Sequence, residues 1–341
     1  MFYRRLFLPV VAALGALWAH PAQAQTRNYI ALGDSYALGY TTPSAPASNG
    51  DQGYVSLFAN ALATRLGGVR PTVTNLAVSG ETSTSFFSGT PTNLVGPPFP
   101  DGLVDAPLRE PARNTNYLGT SSSQSALLQG RLSTIRSAGQ TVDFVTVQIG
   151  GNDILGVLGQ TAFQSLGATQ AGQLQQQQIL QNRFLNLQTQ YTTLLTALTN
   201  PTTGVPNAQI ILVGYADPFA GLGVNNPLSG GTPNNPLSTQ LTLQANGLIS
   251  GLAQAFGVRY VDIYTPFKGN ETQYTYIADP NASLPGGTPN FHPNALGYSV
   301  IANRINAVSA APEPSDLGLL SIVLAPSAMI LVRRRMKLKT A

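Results

Sequence analysis

Ser35 and His292 are the residues whose types and settings could do covalent chemistry. Ser35 lies in Ala31-Leu32-Gly33-Asp34-Ser35-Tyr36, an apolar run ending in a Gly-Asp turn. There a hydroxyl can be exposed and the backbone N–H can point at developing negative charge. A serine hydroxyl is a weak nucleophile, so it needs a base for its proton and donors for the oxyanion. His292 is one of only two histidines, and the other, His20, falls in a segment that reads as removed on export. With an unperturbed pKa of about 6.5, an imidazole can take the serine proton and return it to the leaving group. Pro293, directly after it, suits a helix start. As donors, Gly80 allows close backbone approach and Asn152 carries an uncharged NH₂. Taken singly, Gly-Asp-Ser also reads as a turn or helix cap, Gly80 as a turn, and Gly150-Gly151-Asn152-Asp153 as a loop with a cap at Asp153.

The elements that would position these groups alternate. Continuous apolar runs at Asn28 to Gly33, Thr72 to Val78, Asp143 to Ile149, Gln209 to Tyr215 and Val258 to Tyr264 predict parallel strands covered on both faces. Helical periodicity occupies Tyr54 to Leu66, Ser125 to Ala138, Leu174 to Leu198, Leu237 to Phe256 and Ala295 to Val308, including a Gln-rich stretch whose apolar residues keep helical spacing. The pattern predicts a doubly wound α/β domain, whose ligands sit beyond the carboxyl ends of the strands. Ser35, Gly80 and Gly150 to Asp153 each follow one of the first three strands, so they converge on one rim. Residues 81 to 122 are too long for an ordinary connection. They read as an insertion, either a lid or a solvated excursion.

Four ordered blocks give the chain a resemblance to the SGNH hydrolases, also called GDSL esterases and lipases. They are Gly33-Asp34-Ser35-Tyr36, Asn75-Leu76-Ala77-Val78-Ser79-Gly80, Gly150-Gly151-Asn152-Asp153 and His292-Pro293-Asn294-Ala295-Leu296-Gly297-Tyr298. The resemblance implies a flavodoxin-like three-layer α/β/α fold with about five parallel strands. It implies Ser35 as nucleophile and His292 as base, with the amides of Ser35 and Gly80 and the side chain of Asn152 as the oxyanion hole. Hydrolysis of carboxylic esters follows, on small-molecule, lipid or polysaccharide substrates, with no cofactor and no metal. The chain departs from the family where most members place an aspartate three residues before the histidine. Here that position is Pro289. The Pro289 carbonyl could orient the ring as a dyad, or Asp279 or Asp262 could serve; Asn290 could bond the ring but carries no charge. A matrix or carbohydrate-binding protein that keeps the fold but is catalytically weak is the alternative.

Both ends read as targeting segments around a hydrolase domain of residues 25 to 311. Residues 1 to 24 combine Arg4 and Arg5, an apolar run and Ala22-Gln23-Ala24, as in a signal peptide. Residues 312 to 341 combine Pro312-Glu313-Pro314, an apolar stretch over 317 to 332 and five Lys or Arg residues. A basic flank on an apolar segment marks the cytoplasmic side, and the order of parts resembles the PEP-CTERM signal, which implies an exosortase-type processing partner and an exported, surface-associated protein. Without these ends the formal charge of +4 becomes slightly negative, so the core carries no basic excess for nucleic acid. No cysteine is present, which excludes thiol nucleophiles and disulfide frameworks, and a single remaining histidine argues against a histidine-based metal site.

Overall fold

The computed structural model describes residues 27 to 311, apart from 121, 218, 221 to 230, 233 to 234 and 285 to 288. The signal-peptide and sorting-tail readings lie outside the described residues. Five parallel strands form the central sheet: β1 (Asn28–Gly33), β2 (Thr72–Asn75), β3 (Phe144–Gln148), β4 (Gln209–Val213) and β5 (Arg259–Val261). Their order is β2-β1-β3-β4-β5, the flavodoxin-like arrangement with its switch in direction between β1 and β3. Main-chain pairing fixes Ile30 opposite both Thr74 and Val145.

Side-chain alternation along each strand creates the three layers. Ile30, Leu32, Val145, Val147, Ile210 and Leu212 point to one face, where they meet α3 (Gln124–Ser137), α5 (Gln170–Thr199) and α6 (Leu237–Ala255). Tyr29, Ala31, Phe144, Ile211, Val213 and Val261 point to the other, covered by α2 (Gly53–Arg65) and α7 (Ala295–Ala310). The chain has an α/β fold with a five-stranded parallel sheet, as the apolar runs imply.

Two segments behave differently from the sequence expectation. Gly150 to Asp153 does not end in a cap at Asp153; the helix α4 (Gly151–Leu158) begins before it and holds it in the first turn. The glycine pair masks this start, because glycine carries a poor helix propensity. Residues 81 to 122 are anchored at several buried points, while much of the stretch from 90 to 102 is exposed. Glu81, Thr82, Ser83, Ser85, Asp105 and Asn114 are all buried, and Asn114 Nδ2 donates to the carbonyls of Asn75 and Ala77. Polar side chains that look loop-like in sequence are here satisfied inside the protein.

Candidate active site

The nucleophile position is built by the end of β1. Gly33 adopts φ 140°, and a Cβ there would lie 2.0 Å from the Gln148 carbonyl oxygen, so only glycine lets β1 run this close to β3. The chain then enters the short helix α1 (Ser35–Leu38), capped by Asp34, whose Oδ1 accepts from Tyr36 N–H at 3.0 Å. Asp34 Oδ2 accepts from Tyr215 Oη at 2.6 Å. Burial raises the Asp34 pKa to about 7 against the opposing effect of that hydrogen bond.

Gly80 follows β2 with φ 74°, and a Cβ on it would lie 1.9 Å from the Leu108 carbonyl oxygen. The insertion therefore closes directly over the Gly80 peptide. Neither the Ser35 N–H nor the Gly80 N–H donates to another of the described residues. Asn152, in the first turn of α4, donates to the Glu81 carbonyl at 3.1 Å, which fixes its amide beside the Gly80 peptide. Ser35, Gly80, Asn152 and His292 line one pocket.

His292 is 4% exposed and held by its neighbour two residues back. Asn290 Oδ1 lies 2.8 Å from His292 Nδ1 and accepts from the His292 backbone N–H at 3.0 Å. The amide orientation is determined, because Asn290 Nδ2 donates to the carbonyls of Thr41 (2.6 Å) and Ala282 (3.0 Å). With its oxygen toward the ring, Nδ1 must carry the proton, and Nε2 keeps its lone pair. Tyr40 lies against the ring at 4.3 Å between centroids and Phe291 stacks on it at 4.7 Å. Burial lowers the His292 pKa to about 3, helped by the positive charge of Arg113, which itself lies over the Tyr40 ring. Among the described residues no hydrogen bond joins Ser35 Oγ to His292; such bonds commonly tighten only when substrate is bound.

The remaining expectations for the ring's orienter are corrected. Asp262 Oδ1 accepts from the backbone of Tyr264 and Thr265, and Asp279 Oδ1 accepts from Asn281 N–H at an exposed turn. Both carboxylates cap local turns, as Asp readily does. Nδ1 is bonded to Asn290, not to the Pro289 carbonyl.

Behind the site lies a polar network with no signature in the sequence. Gln124, fully buried at the start of α3, accepts from Gly33 N–H at 2.7 Å and donates to the Gly33 carbonyl at 3.0 Å. Its Nε2 also lies 3.2 Å from Glu81 Oε2, and Glu81 pairs with Arg109 at 2.8 Å. Burial pushes the Glu81 carboxyl up, and Arg109 opposes the shift. One side chain thus ties the nucleophile strand to the segment carrying Gly80. Further out, Arg183 bridges Asp105 (2.5 Å) and Asp153 (3.3 Å), and Asp153 accepts from both Ser83 N–H and Ser83 Oγ. No three His, Asp or Glu side chains among the described residues converge to hold a metal ion.

A family model for the GDSL-like Lipase/Acylhydrolase family matches residues 31–300. The chain belongs to this family. As a GDSL family member it is an ester hydrolase of the esterase/lipase class. Solved structures similar to it include an extracellular lipase from Streptomyces rimosus (17% identity, TM-score 0.48, covering 83% of this chain and 99% of that one). Phospholipase A1 from Streptomyces albidoflavus NA297 is also similar (17%, TM-score 0.47, 84% and 100%), as is a mutant of an acetyl-xylooligosaccharide esterase from Geobacillus (14%, TM-score 0.46, 84% and 96%). No curated protein sequence matches the chain.

Proposed function

We propose that this GDSL family member hydrolyses carboxylic esters through a Ser35 acyl-enzyme with His292 as its base. The reading rests on one observation above all: His292 lines one pocket with Ser35, Gly80 and Asn152, and with its Nδ1 bonded to Asn290 Nε2 is the ring nitrogen left to act as base. Ser35 Oγ attacks the carbonyl carbon and its proton passes to Nε2. The oxyanion is held by the amides of Ser35 and Gly80 and by Asn152 Nδ2. Collapse breaks the bond to the alcohol oxygen, which takes the proton from His292. Water then attacks the acyl-enzyme by the same route and releases the acid.

Asn290 accepts a hydrogen bond from the ring N–H but brings no charge to stabilise the imidazolium, so this is a Ser-His dyad with a neutral orienter. Ser35→Ala and His292→Ala should each reduce hydrolysis of p-nitrophenyl butyrate by at least 10³-fold, and a fluorophosphonate should label Ser35 alone. Wild-type hydrolysis by Ser35→Ala would refute the mechanism. The missing carboxylate also favours a second reading, a binding protein on the same fold with weak catalysis, and this form would leave the fluorophosphonate unreacted. The terminal segments support export to the cell surface with removal of residues 1 to 24 and processing near Pro312-Glu313-Pro314 by an exosortase-type enzyme. Mass spectrometry of the protein recovered from its native host tests both cleavages.

A further inference from the structure

Two of the three proposed oxyanion donors each follow a residue that meets the same tyrosine. Asp34 precedes Ser35, and Gly151 precedes Asn152. Tyr215, two residues past β4, donates from Oη to Asp34 Oδ2 at 2.6 Å. Its ring lies so close to Gly151 that a Cβ there would sit 2.8 Å from Cε1 and 3.3 Å from Cζ. Burial pushes the phenol well above its ordinary value, and the Gly151 backbone N–H works against that shift, which places this amide beside the same oxygen. One hydroxyl thus meets the start of α1 and the start of α4.

The tyrosine is itself held from behind. Asn246, buried on α6, accepts from the Tyr215 N–H at 2.8 Å and donates to the Tyr215 carbonyl at 2.8 Å. A Cβ on Gly214 would lie 2.8 Å from Asn246 Oδ1, so α6 sits directly on this stretch of backbone. The tie between α1 and the histidine loop is made elsewhere, by Tyr36 Oη donating to the Phe291 carbonyl at 2.9 Å. Tyr215 therefore bears on the Ser35 and Asn152 side of the site. We infer that Tyr215 is a positioning residue for the oxyanion hole, its hydroxyl setting the Ser35 N–H and the Asn152 side chain at one spacing through Asp34 and Gly151. The inference rests on Ser35 and Asn152 acting as proposed above. Misplaced donors weaken the hold on the transition state and leave ground-state binding alone. Because Tyr215 also lines a pocket with Ser35 and Asn152, direct contact with substrate is the competing role, and it would appear in KM.

Steady-state kinetics on p-nitrophenyl butyrate test the assignment, with rates normalised to the Ser35 that fluorophosphonate labels at completion. Tyr215→Phe keeps the ring on Gly151 and removes only the hydroxyl. It should lower kcat by about 10- to 100-fold, leave KM within about twofold, and slow the labelling of Ser35 by a factor similar to that on kcat. Asp34→Asn keeps the acceptor for the Tyr36 N–H and loses the one for Tyr215. It should have the same effect, and it decides the matter if Tyr215→Phe does not fold. Since the pair acts as a unit, the double variant should fall within about threefold of either single one. In an Asn152→Ala background Tyr215→Phe should cost several-fold less, because one donor it places is gone. An unchanged normalised kcat with a lower melting temperature, a change confined to KM, losses that multiply in the double variant, or an equal cost in Asn152→Ala would each overturn the positioning role alone. Wild-type Ser35 that fails to react with fluorophosphonate would bring down the catalytic reading and the assignment with it.

Discussion

Asn290 Oδ1 sits 2.8 Å from His292 Nδ1, in the place where a serine hydrolase usually puts a carboxylate. The amide fixes the tautomer but does not neutralise the imidazolium. Asn290→Ala should therefore lower kcat by about 10- to 100-fold with little change in KM, because orientation is lost and substrate contacts are not. Asn290→Asp is not a simple gain of charge. Its second oxygen would face the Thr41 and Ala282 carbonyls that now accept from Nδ2, so it should lower the melting temperature. Steady-state kinetics and thermal melts on the two variants check both outcomes.

The low pKa of His292 sets the acid limb of activity. The base must be neutral, and burial holds it neutral down to about pH 3. The acid limb of kcat/KM should thus lie well below the ordinary imidazole value of about 6.5. Arg113→Gln removes the neighbouring positive charge that contributes to the shift, so the limb should move toward higher pH. Stability follows with a definite sign. A histidine whose folded pKa is depressed binds fewer protons folded than unfolded, so its contribution is complete above about pH 6.5 and is lost as pH falls toward 3. Replacing His292 with Gln should flatten that part of the stability profile.

Gln124 touches neither proposed reacting group, yet its amide is bonded to both polar groups of the Gly33 peptide and to Glu81. It is a positioning residue, setting the nucleophile strand against the segment that carries Gly80. Gln124→Leu should reduce the rate of fluorophosphonate labelling of Ser35 by roughly 10- to 100-fold. A merely structural role would lower the melting temperature without slowing the labelling of the folded fraction.

How much of this was legible in sequence depended on whether a signal was local. The five strands and five main helices were, because burial on two faces produces apolar runs and amphipathic spacing without reference to distant residues. Ser35, Gly80, Asn152 and His292 were picked out as candidates by strand-end positions and by motif. The role of Asn290 was harder to see, since a neutral amide works as an orienter only once the Thr41 and Ala282 carbonyls fix which way it points. Gln124 looks like any polar residue at a helix start, and its partners at Gly33 and Glu81 lie 91 and 43 positions away. Arg183 sits on the apolar side of α5, where sequence periodicity alone would expect an aliphatic residue. Long-range polar pairing leaves no periodicity, and so the insertion's buried anchoring could not be read.

The Arg183 bridge makes the last prediction. Arg183, Asp105 and Asp153 are all buried, with side chains 3%, 0% and 0% exposed, and burial already raises the Asp153 pKa to about 6 despite the cation beside it. Removing the guanidinium strands two carboxylates where water cannot reach them. Arg183→Met should cost about 3–5 kcal/mol of stability at pH 8, measured by urea unfolding. The deficit should shrink at pH 5, because with Arg183 gone Asp153 takes up its proton more readily and the uncompensated charge falls. The double variant Arg183→Met with Asp153→Asn should recover part of the loss at pH 8, since one stranded charge is gone. An equal deficit at both pH values would mean that Arg183 acts through packing and not through charge.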